Sequence, residues 1–186
     1  MADNEPRAIG LVELSSVAAG YLVTDQMLKT AEVKLLLNRT ICSGKYMVMV
    51  AGDVASVQAS VEAGVAVAGT FTIDTCVIPS VDPGVFPALG GNVILRDHDA
   101  LGVIESFSVA SLIEAADSAA KSADVQLLEI RLAMALGGKA VCRLSGKISA
   151  VQTAVDTGAA VVEGKGLLVN KVVIPAPSEE LFGESL

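Results

Sequence analysis

Residues 8–13 read Ala8-Ile9-Gly10-Leu11-Val12-Glu13, and residues 100–105 read Ala100-Leu101-Gly102-Val103-Ile104-Glu105. The likeness continues past these hexapeptides. At the same offset Asp25 meets Asp117, Lys29 meets Lys121 and Arg39 meets Arg131. Two extra residues enter the second copy near Ala135 and Leu136, and the register then resumes. Gly44-Lys45 meets Gly138-Lys139, Gly52 meets Gly146, Val57-Gln58 meets Val151-Gln152, and Gly64 meets Gly158. Ile78-Pro79 later meets Ile174-Pro175. The aligned copies share roughly four times as many identities as this composition gives by chance, which identifies an internal duplication.

Each copy predicts the same series of elements. In the first, residues 8–14 form an apolar strand and residues 17–31 a helix with Ser15 or Ser16 as N-cap. Residues 33–41 and 45–51 form a hairpin across the turn Ser43-Gly44. Residues 53–67 form a helix with Asp53 as N-cap, and residues 71–78 a last strand closed by Pro79. The second copy predicts elements at 100–105, 108–122, 125–133, 139–145, 148–162 and 167–174. The order β-α-β-β-α-β is the split βαβ arrangement. The expected fold class is therefore α+β: two tandem ferredoxin-like domains, each an antiparallel sheet with helices packed on it. The expected division is 1–92 and 93–186, within a linker at 80–99 that holds Pro83, Pro87, Gly90, Gly91 and His98. His98 reads as a solvated loop residue, since histidine ligands usually come with partners.

Composition narrows the function. Of 186 residues 52% are hydrophobic, 18% charged and 3% aromatic, with no Trp, so disorder is excluded and the core must be built of small aliphatic groups. The net charge of −8 provides no basic footprint for nucleic acid. Mean hydropathy is +0.60. The longest uninterrupted apolar run, Tyr46 to Ala51, is far shorter than the roughly 20 residues of a membrane span. The opening Met1–Arg7 lacks the apolar core of a signal peptide. These features predict a soluble cytoplasmic protein without nucleic-acid or membrane partners. Its weakly charged surface suits burial against other subunits.

In order and in duplicate, the carriers AIGLVE/ALGVIE, Asp25-x-x-x-Lys29 and Asp117-x-x-x-Lys121, Ser43-Gly44-Lys45, Gly52-Asp53-Val54 and the closing Val-Ile-Pro at 77–79 and 173–175 resemble the tandem-domain shell proteins of bacterial microcompartments. The resemblance covers nearly the whole chain. It implies a homotrimer of six domains imitating a hexagonal tile, which assembles with other shell proteins around enzymes. It places the turn of each domain's hairpin around a central pore: Thr40, Ile41, Cys42, Ser43 and Gly44 from the first copy, and Ala135, Leu136 and Gly137 from the second. It places Lys29 and Lys121 at the lateral edge of the tile, although Ser80 and Ala176 stand where the family often has Arg after Val-Ile-Pro.

Of the three cysteines, Cys76 and Cys142 fall in predicted strands, where burial is expected, whereas Cys42 lies on the turn of the first copy. In a trimer three Cys42 thiols would converge on the axis, and soft thiolates select iron–sulfur clusters, zinc or copper(I). Arg39 and Lys45 are cations close in sequence that favour a thiolate. The segment is similar to that of iron–sulfur members from propanediol-utilisation microcompartments, whose turn has proline where this chain has Ser43. That resemblance implies a 4Fe-4S cluster, one per trimer, held by Cys42 for electron transfer across the shell, with an encapsulated redox enzyme as a further partner. The alternatives are a cluster-free tile whose pore conducts a small metabolite and a regulatory protein that binds a small effector.

No Walker loop, GxGxxG or GxSxG occurs, and a single histidine excludes most histidine dyads. Glu13 and Glu105, at matching strand ends, are expected to cap the following turn or to face the tile surface rather than to act as an acid–base pair. No enzyme activity is expected.

Overall fold

The structure is a computed structural model that describes residues 8–95, 99–133 and 136–182. Contacts divide the chain after Val81 into two compact units.

The first unit runs β1 (Ala8–Leu14), α1 (Val17–Thr30), β2 (Lys34–Ile41), β3 (Lys45–Gly52), α2 (Val54–Ala68) and β4 (Thr72–Ile78). Its sheet has the order β2-β3-β1-β4 with antiparallel neighbours. Ser16 caps α1 by accepting from Ala19 N at 3.2 Å, and Asp53 caps α2 by accepting from Ser56 N at 3.0 Å. Hydrogen bonding from the Ser56 side chain, and then from its backbone N–H, holds the Asp53 carboxyl below its ordinary pKa. Gly69, at φ 54°, stops α2 because its backbone turns where an L side chain would be strained.

Alternation sorts the strand residues to the two faces. Val12, Leu14, Tyr46, Val48 and Val50 meet Val23, Met27, Val61 and Ala68 of the helices in one core. Each fully buried Val, Leu or Met of this set contributes about 1.5–3 kcal/mol. The helices lie close because the sheet offers a glycine beneath them. A Cβ on Gly10 would stand 2.5 Å from Val61 and 2.7 Å from Val57. The segment Val54–Phe71 has the length and hydropathy to cross a bilayer. In the unit it is α2 with the turn after it, and Val57, Ser60, Val61, Gly64 and Ala68 form its buried face. The opposite faces of β1 and β3, with Ile9, Leu11, Glu13, Met47 and Met49, are also buried.

The second unit repeats the plan as β5 (Ala100–Ser106), α4 (Val109–Ser122), β6 (Val125–Leu132), β7 (Ala140–Gly146), α5 (Ile148–Gly164) and β8 (Leu168–Ile174). The sheet order is β6-β7-β5-β8. Before β5 lies a short helix absent from the sequence reading, α3 (Val85–Gly90), closed by Gly91 at φ 66°. It buries Val85 and Ala88, and the segment around it is tied to this unit. Asp82 N donates to Asp117 Oδ1 at 2.7 Å, and Gln126 Nε2 donates to Ile94 O at 2.8 Å. The division therefore falls at 81/82 rather than at 92/93, because the joining segment has its own apolar contacts and hydrogen bonds in the second unit. Glu179–Phe182 forms a short 3₁₀ turn held by Arg143, whose guanidinium donates to Leu181 O. His98 lies outside the described residues.

Candidate functional site

The hairpin of the first unit closes at the pair Ile41 and Lys45, leaving Cys42-Ser43-Gly44 as its turn. Ser43 has φ 65° and Gly44 φ 73°, so two successive residues take the left-handed conformation. Glycine does so freely and serine at a cost. Proline cannot reach that φ, so this turn differs from one built on proline at the same place. Ser43→Pro is expected to destabilise the protein by about 1–3 kcal/mol, whereas Ser43→Gly stabilises it by up to about 1 kcal/mol. Denaturant midpoints of the two variants check both signs.

Cys42 is half-buried on this turn, whereas Cys76 and Cys142 are buried in β4 and β7, as their strand positions led one to expect. Burial pushes the Cys142 thiol up to about 12, with Glu129 adding to the effect. The accessible cysteine is therefore Cys42. Brief treatment of the native protein with iodoacetamide near pH 8 is expected to modify Cys42 and leave Cys76 and Cys142 intact, as peptide mass spectrometry would read.

The other turn residues divide by exposure. Thr40, Ser43 and Gly44 are exposed, but Ile41 is 5% exposed and belongs to the core rather than to a pore wall. Its side chain alternates inward from Thr40, which explains the correction. In the second unit Leu136 is half-buried and Gly137 exposed. Ala135 lies outside the described residues. This turn also takes left-handed backbone, at Ala133 (φ 48°), Gly137 (φ 61°) and Gly138 (φ 87°).

Glu13 neither caps a turn nor faces the surface. Its side chain is 0% exposed, and its Oε1 accepts from Lys45 Nζ at 2.9 Å. Glu105 makes the same pair with Lys139 at 2.6 Å, with both partners less enclosed. Sequence reasoning aligned all four residues without pairing them. The available signal was that each glutamate is the next-to-last residue of its strand, and each lysine stands at or just before the start of the neighbouring strand. Lys45 is therefore engaged by a buried carboxylate, and Arg39 is the exposed cation near the turn.

The two helix motifs also part company. Lys29 pairs with Asp25 at 2.6 Å, and both are exposed. Lys121 pairs with Asp117 at the same distance, but Asp117 is buried and also receives the Asp82 N–H. A polar cleft at the other end of the second sheet is lined by Asp99, Asp124, Gln126, Ser145 and Lys147. Among the described residues no three His, Cys, Asp or Glu gather as a metal site. The donor set that one chain brings to the turn is thus a single accessible sulfur. That would fit a group shared between chains, and it does not fit one held within a single chain.

A family model described as "BMC domain" matches residues 8–81 and again 100–177. The chain is 40% identical over 176 residues to the bacterial microcompartment shell protein PduT of Citrobacter freundii, covering 95% of this chain and 96% of that one. It is 30% identical over 191 residues to the carboxysome assembly protein CcmO of Synechocystis sp., covering 94% of this chain and 63% of the relative. Among solved structures, a microcompartment protein from Desulfitobacterium hafniense superposes with a TM-score of 0.85 at 45% identity, covering 95% of this chain and 98% of that one. The fused permuted hexameric shell protein MSM0275 gives 0.65 at 20% identity, covering 85% and 82%, and shows the shared fold alone.

Proposed function

We propose, from the premise that this chain belongs to the BMC-domain family and is a tandem-domain microcompartment shell protein, that three copies form a pseudohexameric tile with the Cys42 turns around its threefold axis. Three chains then bring three Cys42 thiolates to one pore, and these would hold a 4Fe-4S cluster. When bound, such a cluster supplies one-electron transfer, here across the shell. The observation that supports this reading most is the position of Cys42: it is the accessible cysteine, it lies on the hairpin turn, and the other copy has Met134 in its place.

The protein's own residues do the holding. Ser43 and Gly44 project the turn, Thr40 flanks it, and Leu136 and Gly137 contribute the alternating wall from the second copy. The tile works as a structural and conducting element without an enzymatic step of its own, inside the bacterial cytoplasm. Its partners are two further copies, other shell proteins through the Lys29 and Lys121 edges, and an enclosed redox enzyme. Of the two edge lysines Lys29 is the more exposed. Lys29→Ala is expected to reduce sheet formation seen by electron microscopy while the trimer mass is unchanged. Equal loss of trimers and sheets contradicts the edge role.

The test is anaerobic purification with iron and sulfide assays beside a mass measurement. A brown trimer with about four iron and four sulfide supports the cluster. A colourless trimer that stays iron-free after anaerobic reconstitution supports the second reading, a tile whose exposed Ser43 and Gly44 line a metabolite pore. A species other than a trimer contradicts both.

A further inference from the structure

Beyond the β1–β3 ladder, which runs as far as the pair Leu14 and Tyr46, the Cys42 hairpin is tied to β1 by the Glu13–Lys45 ion pair, which the proposed function leaves unused. Lys45 is the first residue after the turn, and Glu13 lies near the end of β1, opposite Met47. Lys45 is thus the diagonal neighbour of Glu13, two residues along β3, within reach of a long side chain. Its Nζ sits 2.9 Å from Glu13 Oε1, with the carboxylate wholly buried and the lysine side chain 20% exposed. Glu105 and Lys139 repeat the pair at 2.6 Å beside the turn of the other copy.

Stability alone is a weak reason for the buried pair. Apolar side chains of similar volume often stabilise a buried site as well or better, and the attested benefit of buried polar pairs is a single geometry. The turn is the part of the hairpin that needs one. Ser43 and Gly44 are left-handed, and the ladder ends at Ile41 and Lys45. A lysine held at its ammonium by a buried carboxylate has a fixed side-chain path, and this fixes the strand end from which the turn departs.

We propose that Glu13 is a positioning residue for Cys42, acting through Lys45. The ion pair anchors the exit of the turn and keeps the Cys42 thiol half-sheltered in one orientation, ready for a ligand shared between chains. The inference rests on the reading of the Cys42 turn as the site, but its test does not need a bound cluster.

The experiment measures the rate of Cys42 carboxamidomethylation in iron-free, full-length protein by peptide mass spectrometry, beside iron uptake on anaerobic reconstitution. Glu13→Gln and Lys45→Met are each expected to raise the labelling rate several-fold and to lower iron uptake. Lys45→Arg keeps the original rate, and exchanging the charges (Glu13→Lys with Lys45→Glu) brings it back toward the original. Lys139→Met, which breaks the equivalent pair beside the other turn, leaves Cys42 labelling unchanged. If a single variant fails to fold, Glu13→Gln with Lys45→Gln, which removes both charges at nearly constant volume, is expected to fold and to show the raised rate. Unchanged labelling in the folded variants overturns the proposal. So does an equal effect of Lys139→Met. A rise in Glu13→Gln with a fall in Lys45→Met also overturns it, because it marks a direct charge effect of the lysine on the thiol. An iron-free wild-type protein refutes the cluster and leaves the labelling test standing.

Discussion

Replacing Cys42 with serine is expected to reduce iron binding to background while the trimer and its melting temperature stay nearly unchanged. The hydroxyl is a harder ligand than a thiolate and stays protonated at neutral pH, so three serines do not reproduce three soft anionic donors. The cost to the fold is small. Cys42 is half-buried on a turn, and substitutions at such places usually fall within about 0.5 kcal/mol. Cysteine to serine at position 142 makes the opposite control. That thiol is fully buried in β7, so an added hydroxyl costs about 1–3 kcal/mol if it finds no partner, yet iron uptake stays intact. Iron retained in Cys42→Ser, or lost equally in Cys142→Ser, contradicts the assignment. Metal analysis and calorimetry on the three proteins decide between these outcomes.

The second large effect concerns packing. A Cβ at Gly20 would lie 2.2 Å from Tyr46 Cδ1, so α1 crosses the Tyr46 ring with no room for a side chain. Tyr46 is 2% exposed: its hydroxyl donates to Asn38 Oδ1, and the Tyr21 ring stands 5.5 Å away. Burial also raises the Tyr46 phenol above its ordinary pKa. In the second unit the equivalent positions are Leu112 and Ala140, so the bulk has moved from strand to helix. Gly20→Leu is expected to destabilise the protein by about 3 kcal/mol or more, since the ring cannot yield without leaving its core. This corresponds to a fall in melting temperature of roughly 12–24 °C for a unit of this size. Adding Tyr46→Ala imitates the Leu112/Ala140 arrangement and is expected to recover stability relative to Gly20→Leu. A double-mutant cycle with coupling of about 2 kcal/mol supports the exchange, and simple additivity contradicts it.

Much of the fold was legible because it was written twice. The duplicated strands, helices and turns lie within a residue or two of their expected places, and Ser16 and Asp53 act as the caps that their side chains suggest. The Asp25–Lys29 pair follows from helical spacing alone. What remained hidden depended on contacts distant in sequence. Glu13 looked like a surface carboxylate because nothing local announces that Lys45 will meet it within the sheet. Ile41 looked available to a pore because its inward direction is decided by the hairpin register. The joining segment looked like an unstructured linker because Pro87 and its glycines obscure a helix of one and a half turns. The left-handed φ of Ser43 is equally unreadable from a residue that usually avoids it.

The joining segment also changes how the two halves can evolve. Asp25 serves only a solvent-facing pair, so its loss touches little else. Asp117 answers to Lys121 and to the Asp82 N–H together, so the same substitution in the second half also strips a backbone donor. The spacer is part of the second unit's architecture. The copies are no longer interchangeable modules: a recombination that exchanged them at the old repeat boundary would leave one half without its clasp and give the other nothing to fasten.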